Sequence, residues 1–285
     1  MTPVPLGRVV SDAFQAACLA ELEALKPGNV HRHAPGHGMS TLDFERSAAA
    51  AASLMGDPRL SVGERILAAV EATRRAVGCN TNLGIVLLCA PLAQAALRQR
   101  TGQGLRDALV EQLAALDVAD ASLAFRAIRL AAPGGLGSSA RHDVQNEPTV
   151  TLLEAMREAA SRDRVARQYV TGFADVFRIG VTRLGSLRAR GLPESWAITG
   201  TYLAFLASFS DSHILRKFGR ASAGTVRQKA RELDHRIRAG ESTSSLSADL
   251  LALDGALKSR NLNPGTSADL TVASHFAATL AGRRP

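Results

Sequence analysis

Apolar residues recur every three and four positions along almost the whole chain, the spacing that lines one face of an α-helix. The first run sets Phe14, Cys18, Leu19, Leu22 and Leu25 on one face, and Ser11 ahead of it predicts a capped helix over 11–25. A second helix is predicted from Thr41 through an alanine run to Met55. Ser61 and Glu64 stand three apart before ILAAVEATRRAV, the pattern of a capping box opening a third. A fourth, over 83–98, is apolar nearly all round and belongs at the centre of a fold. Further helices are predicted over 105–116, 119–130, 150–162, 165–190, 193–209, 223–238, 245–258 and 266–281.

One long stretch, APGGLGSSARHDVQNEPT at 132–149, has no periodicity; a loop of this length inside a compact domain usually carries function. Two-residue alternation never persists, so no strand is predicted, and no repeat or linker divides the chain. The expectation is a single all-α domain over 1–285 with about ten or more helices and no significant sheet.

Composition narrows the function classes. Hydrophobic residues at 46% and charged residues at 21% exclude general disorder. Aromatics at 4% argue against a base-stacking nucleic-acid platform. The net charge of +8 is spread along the chain, which suits anionic ligands, phosphates above all. Of 34 basic residues only four are lysines, Lys26, Lys217, Lys229 and Lys258, so a lysine near glycine is informative. Three cysteines without a CxxC pair argue against a disulfide framework or a cysteine zinc site. No charged start precedes an apolar stretch, and no run of about 18 apolar residues occurs. A soluble, cytoplasmic protein without membrane attachment is expected, and its alanine-rich helical faces suit a homodimer.

Four interhelical junctions gather polar residues. LKPGNVHRHAPGHGMST, 25–41, holds Lys26, Gly28, Asn29, His31, His33 and His37. His33 and His37 have HxxxH spacing, but Pro35 and Gly36 argue against the helix that would align them on a metal; Gly28 instead shapes a turn that aims Lys26 and Asn29. GCNTNLG, 78–84, supplies Asn80, Thr81 and Asn82 where capping needs one residue; the surplus amides suit a base or ribose. In the long loop, Gly134, Gly135 and Gly137 suit a backbone cradle for phosphate, although no GxxxxGK[ST] is present. His142, Asp143 and Glu147 follow, and two carboxylates beside a phosphate suggest magnesium. The fourth junction joins FSDSHILRKFGR, with Asp211, Arg216 and Lys217, to NLNPGTSADL, where Asp269 stands in the first turn of the last helix. Simple capping accounts for Asp269 but not for the Arg-Lys pair. Between these junctions, Arg164, Arg167, Gln168, Thr171, Asp175 and Arg178 fall within a stripe about 120° wide on one predicted helix.

KPGNV, NTNLG, HDVQNEPTVTLLEAM running into ASRDRVARQYVTGFADVF, DSHILRKFG and NPGTSADL occur in this order over 12–275. As an ordered set they resemble the triphosphoribosyl-dephospho-CoA synthase family. The resemblance implies an all-helical transferase that moves the 5-triphosphoribosyl group of ATP onto a ribose hydroxyl of 3′-dephospho-CoA and releases adenine, for prosthetic-group synthesis. Two departures stand out. PGHGMS keeps Gly36, His37 and Met39 of a pattern like GAHxDM but has Gly38 where the acid falls, and the asparagine-threonine motif continues with Asn82-Leu83 in place of histidine and lysine. These resemble a divergent branch, so an acceptor in one-carbon cofactor synthesis stays open.

Under the reading this implies, Lys26, Arg216 and Lys217 carry phosphate charge, with Gly28 shaping the turn and Gly134, Gly135 and Gly137 as cradle. Asn80 and Asn82 hold adenine or ribose. Asp143, Glu147 and Asp211 are the expected Mg2+ ligands, and Asp269 or Asp143 is the base, with His142 beside it. Two other classes remain: a magnesium-dependent nucleotide hydrolase or phosphotransferase, which releases phosphate, and a helical nucleic-acid-binding protein. The second is disfavoured because acids share the junctions with the bases.

Overall fold

A computed structural model describes residues 4–34, 36–139 and 141–282, so Pro35, the helix breaker invoked above, lies outside the described residues. The helices are α1 (Leu6–Glu23), α2 (Thr41–Met55), α3 (Val62–Val77), α4 (Leu83–Arg98), α5 (Leu105–Ala114), α6 (Val118–Ala131) and α7 (Leu152–Ala159). Then come α8 (Arg164–Thr171), a π-helical segment (Val176–Val181), α9 (Thr182–Ala189), α10 (Glu194–Ser208), α11 (Ser212–Arg238), α12 (Thr243–Lys258) and α13 (Gly265–Ala281). No strand occurs among the described residues; the α1–α2 loop holds only the isolated bridges His31–Ala34 and Gly36–Met39. None of the described helices is long and apolar enough to cross a membrane.

Capping chemistry sets most helix starts. Ser61 accepts from the Glu64 amide while Glu64 accepts from the Ser61 amide, as its spacing predicts, and Ser40 with Asp43 and Thr151 with Glu154 repeat the device. The first helix begins earlier than expected. Pro5 precedes it, pre-set in φ, so Ser11 lies inside α1 rather than at its cap.

The helix expected over 165–190 is broken instead. Gly172 and Phe173 turn left-handed at φ 56° and 55°, and both amides bond the Gln168 carbonyl. Burial of Phe173 in the core holds this turn. The predicted polar stripe is therefore folded back on itself: Asp175 accepts from Arg164 Nε at 2.8 Å and from Gln168 Nε2 at 2.6 Å. Helix α11 also departs from expectation, starting at Ser212 under an Asp211 cap and bending at Gly219, whose φ of 77° only glycine adopts readily.

Two apolar cores share three helices. One core surrounds α4, whose sides are buried all round as its composition predicts; the other lies among α9–α12. Helices α1, α10 and α13 contribute to both, so the N-termini of α4 and α13 are brought together beside the α1–α2 loop. Packing is closest where side chains are absent. A Cβ on Gly180 would lie 1.9 Å from Ser274 Oγ, which places the π-helical segment hard against α13.

Candidate active site

A cavity of about 1040 Å3 opens where the polar junctions meet. All four of those singled out in the sequence line it: 25–41 through Asn29 and His37, 78–84 through Asn80 and Gly84, the long loop through Gly134 and Asp143, and the α11 and α13 starts through Lys217 and Asp269. Its size lies at the upper limit of small-molecule sites, which run to about 1,000 Å3.

The α1–α2 loop is built from within. Lys26 is fully buried and ion-paired with Glu21, and its ammonium donates to Asn29 Oδ1 at 2.9 Å and to the Val30 carbonyl at 2.7 Å. It does not line the cavity, so its expected contact with phosphate is replaced by a contact that folds the loop. Burial lowers its proton affinity against the pull of Glu21. Gly28 does shape a turn: it sits at φ 83°, where a Cβ would meet the Leu262 carbonyl at 2.8 Å. Its N–H donates to Asp254, and its carbonyl accepts from His37 Nε2 at 2.8 Å. Asn29 in turn donates to Asn263 of the α12–α13 turn. His31 is buried away from the cavity, its Nε2 3.2 Å from Asp254, and of the three histidines only His37 lines it.

The asparagines of 78–84 divide their tasks. Asn80 lines the cavity and accepts the Leu83 amide at the start of α4. Asn82 is buried and donates to Thr73 Oγ1, outside the cavity lining. The surplus amides are thus absorbed partly by packing rather than held out for a ligand.

The long loop packs on α11. Arg216 donates to the Gly134 carbonyl at 3.3 Å and to Asp163 at 3.3 Å. A Cβ on Gly134 or Gly135 would come within 3.0 or 3.1 Å of the Lys217 side chain, so both glycines admit that lysine. Gly134, Gly137 and His142 line the cavity; Gly135 and Glu147 do not. Asp143 accepts the Ser139 and Gln145 amides, which hold its carboxyl below the usual range, as an anion that pins the loop.

The expected magnesium ligands are not brought together. Glu147 accepts from Ser122 and Arg129 on the outer side of the loop. Asp211 is buried, capping α11 through the His213 and Ile214 amides and accepting both the amide and hydroxyl of Ser267. Only Asp143 lines the cavity, and its oxygens are engaged by amides. Among the described residues no three His, Cys, Asp or Glu side chains are grouped to hold a metal ion. This donor set does not fit a cation carried by the protein alone.

Asp269 has the opposite environment. It lines the cavity and accepts no hydrogen bond from a described residue. Burial pushes its carboxyl well above the usual range; Asp211, Glu21 and Asp163 push the same way, and Lys26 opposes them. His213, beside Lys217 and Arg216, is held neutral, pushed down to about 3 by burial and those cations.

Several lining residues had been given no site role by the sequence: Arg162, Asp163 and Gly84, and also His213 and Asn263, which lie in the fourth polar junction. Gly84 did carry a signal, because a glycine in the first turn of a long apolar helix costs about 1 kcal/mol relative to alanine.

The chain matches the family described as "CitG: ATP:dephospho-CoA triphosphoribosyl transferase" over residues 8–284. It is 33% identical over 112 residues to a 2-(5''-triphosphoribosyl)-3'-dephosphocoenzyme-A synthase of Klebsiella pneumoniae, a stretch covering 39% of each chain. A protein of Albidiferax ferrireducens provisionally given the same name is 34% identical over 110 residues, covering 39% of this chain and 36% of its own. These matches therefore span well under half the length of either curated relative. A crystal structure from Archaeoglobus fulgidus, provisionally assigned as a triphosphoribosyl-dephospho-CoA synthase, aligns with TM-score 0.64 and 25% identity, over 84% of this chain and 99% of that one.

Proposed function

The chain belongs to the ATP:dephospho-CoA triphosphoribosyl transferase family, and from that premise we propose that it joins the 5-triphosphoribosyl group of ATP to a ribose hydroxyl of 3′-dephospho-CoA and releases adenine. The observation that carries this reading is one cavity lined both by the cations Lys217, Arg216 and Arg162 and by the carboxyl of Asp269, which accepts no hydrogen bond from a described residue.

The chemistry is substitution at the anomeric carbon. The C1′–N9 bond to adenine breaks, a bond from the acceptor oxygen to C1′ forms, and the ribosyl centre is cation-like between the two. Raised proton affinity makes Asp269 the base: it takes the hydroxyl proton as the new bond forms. Adenine takes up one proton on leaving, so no net acid is produced. Asp163 and Glu21 also line the cavity, each already ion-paired, to Arg216 and Lys26 respectively. Lys217, exposed at the rim, and Arg216 face the triphosphate. Asp143 fixes the loop that covers them.

The deciding assay is mass-spectrometric. Protein, Mg-ATP and dephospho-CoA are expected to give free adenine together with an adduct heavier by triphosphoribose. Phosphate release without adenine would replace this reading with the hydrolase class. Adenine release without an adduct on dephospho-CoA would mean another acceptor, with one-carbon cofactor intermediates the next to try.

A further inference from the structure

Asp269 gains its place from a residue that has no side chain. A Cβ built on Gly84 would lie 2.0 Å from Asp269 Oδ2, 2.6 Å from its Cγ and 3.3 Å from its Cβ, and these are its three nearest neighbours. Gly84 is therefore not a turn glycine. It lies in the first turn of α4, at a helical position any residue adopts, and what it leaves free is the volume the carboxylate fills.

That volume has a particular character. The Leu83 amide is taken by Asn80 Oδ1 and the Val86 amide by the Asn82 carbonyl, but no described residue accepts from the Gly84 or Ile85 amides. The carboxylate thus lies over the open first turn of a sixteen-residue helix, with the cavity on its other side. Helix α13, which carries Asp269, is fixed independently by the Ser267–Asp211 hydrogen bonds and by burial of Leu270. The backbone of Asp269 cannot drift to relieve a clash, so a side chain at 84 has to turn the carboxylate out into the cavity.

We propose that Gly84 is a positioning residue, whose missing side chain sets the Asp269 carboxylate against the first turn of α4 and so fixes its aim at the reacting hydroxyl. Its effect on turnover rests on the reading of Asp269 as base given above; its effect on the packing of Asp269 does not.

The test is a cycle of four proteins: wild type, Gly84→Ala, Asp269→Ala and the double variant, followed by thermal melting and by steady-state kinetics. Alanine is a better helix former than glycine. A Gly84→Ala change that met no obstacle would therefore raise Tm, as Gly185→Ala is expected to do at a helical site with nothing within 4 Å. Gly84→Ala is expected instead to lower Tm by several degrees, and the same substitution in the Asp269→Ala background to lose most of that penalty, because only the residue-269 Cβ, 3.3 Å away, remains in its path. In turnover, Gly84→Ala is expected to lower kcat on the order of a hundredfold while KM for ATP changes little. The acid limb of its pH profile is expected to move to lower pH, because the displaced carboxylate is better solvated. A Tm penalty that persists undiminished in the Asp269→Ala background overturns the contact between Gly84 and the Asp269 carboxylate. A vanished penalty with kcat and pH profile unchanged keeps the contact but overturns the positioning role. If Gly84→Ala is too unstable to assay, recovery of folding in the double variant still decides the contact.

Discussion

Asn29 donates from Nδ2 to Asn263 Oδ1 at 2.8 Å, joining the two Asn- and Pro-containing turns that carry opposite ends of the sequence into one cavity wall. The same Asn29 accepts the buried Lys26 ammonium, so the contact continues inward to the Lys26–Glu21 pair. Asn263→Ala leaves the Asn29 amide without its partner, and a lost hydrogen bond of this kind costs about 1–3 kcal/mol. Chemical denaturation of Asn263→Ala and Asn29→Ala is expected to show the larger loss for Asn29→Ala, because it also strips an acceptor from Lys26. Equal losses would mean that the link to Lys26 contributes nothing.

Lys26 and Lys217 were expected to serve phosphate alike, and their surroundings separate them. Lys26 is sealed in the fold against Glu21; Lys217 is exposed at the cavity rim beside the glycine loop. Removing one member of a buried pair leaves the other charge uncompensated, at a cost of about 3–5 kcal/mol. Lys26→Ala is accordingly expected to unfold at markedly lower denaturant. Lys217→Ala is expected to keep its stability and raise KM for ATP about tenfold, the loss of one charge-assisted contact. A Lys217→Ala variant with unchanged KM would remove that residue from the triphosphate site.

Asp143 anchors the loop through the Ser139 and Gln145 amides. Its carboxyl is held low by the Gln145 and Ser139 amides, so the folded value lies below the unfolded one. A group of this kind stabilises at pH above its unfolded pKa, and the contribution is lost as pH falls through the folded value. Asp143→Ala is expected to open the 132–149 loop to proteolysis at neutral pH while the Mg-ATP dependence of turnover keeps its form. The wild-type loop is expected to become cleavable only in acid. A large rise in the magnesium requirement of Asp143→Ala would restore it as a metal ligand.

The helices were largely readable because their determinants are local. The Ser61–Glu64 box, the apolar run of α4 and the 41–55 helix are each specified within their own segment. The break at Gly172 was not, because it depends on Phe173 finding a place in the core, a long-range event that overrides the helical period. The site shows the same division. Polar junctions marked where a cavity forms, since helix ends collect polar residues for any reason. They did not tell which of their side chains face it. Lys26, Asn82 and Asp211 differ from Lys217, Asn80 and Asp269 only in what packs over them, and that is decided by segments distant in sequence. Gly84 was conspicuous as a glycine in an apolar helix, but its role was not legible, because that role is the space that Asp269 occupies.

Asp269 provides the test of whether the site holds destabilised chemistry. Its folded proton affinity is raised by burial and by Asp211, Glu21 and Asp163, so the folded protein retains a proton that the unfolded chain releases near pH 3.9. The sign follows. Below that pH both states are protonated and the residue costs nothing. As pH rises from there toward the folded value, the unfolded state gives up its proton first, and folding stability falls. Asp269→Asn removes the titration while keeping the shape. It is therefore expected to abolish adenine release, to raise Tm at neutral pH and to flatten the decline of stability with rising pH above about 4, measured by melting across a pH series. An Asp269→Asn protein that is inactive but no more stable than wild type would place the carboxylate in a relaxed, solvated setting, and its selection as the base over Asp143 would then lose its physical ground.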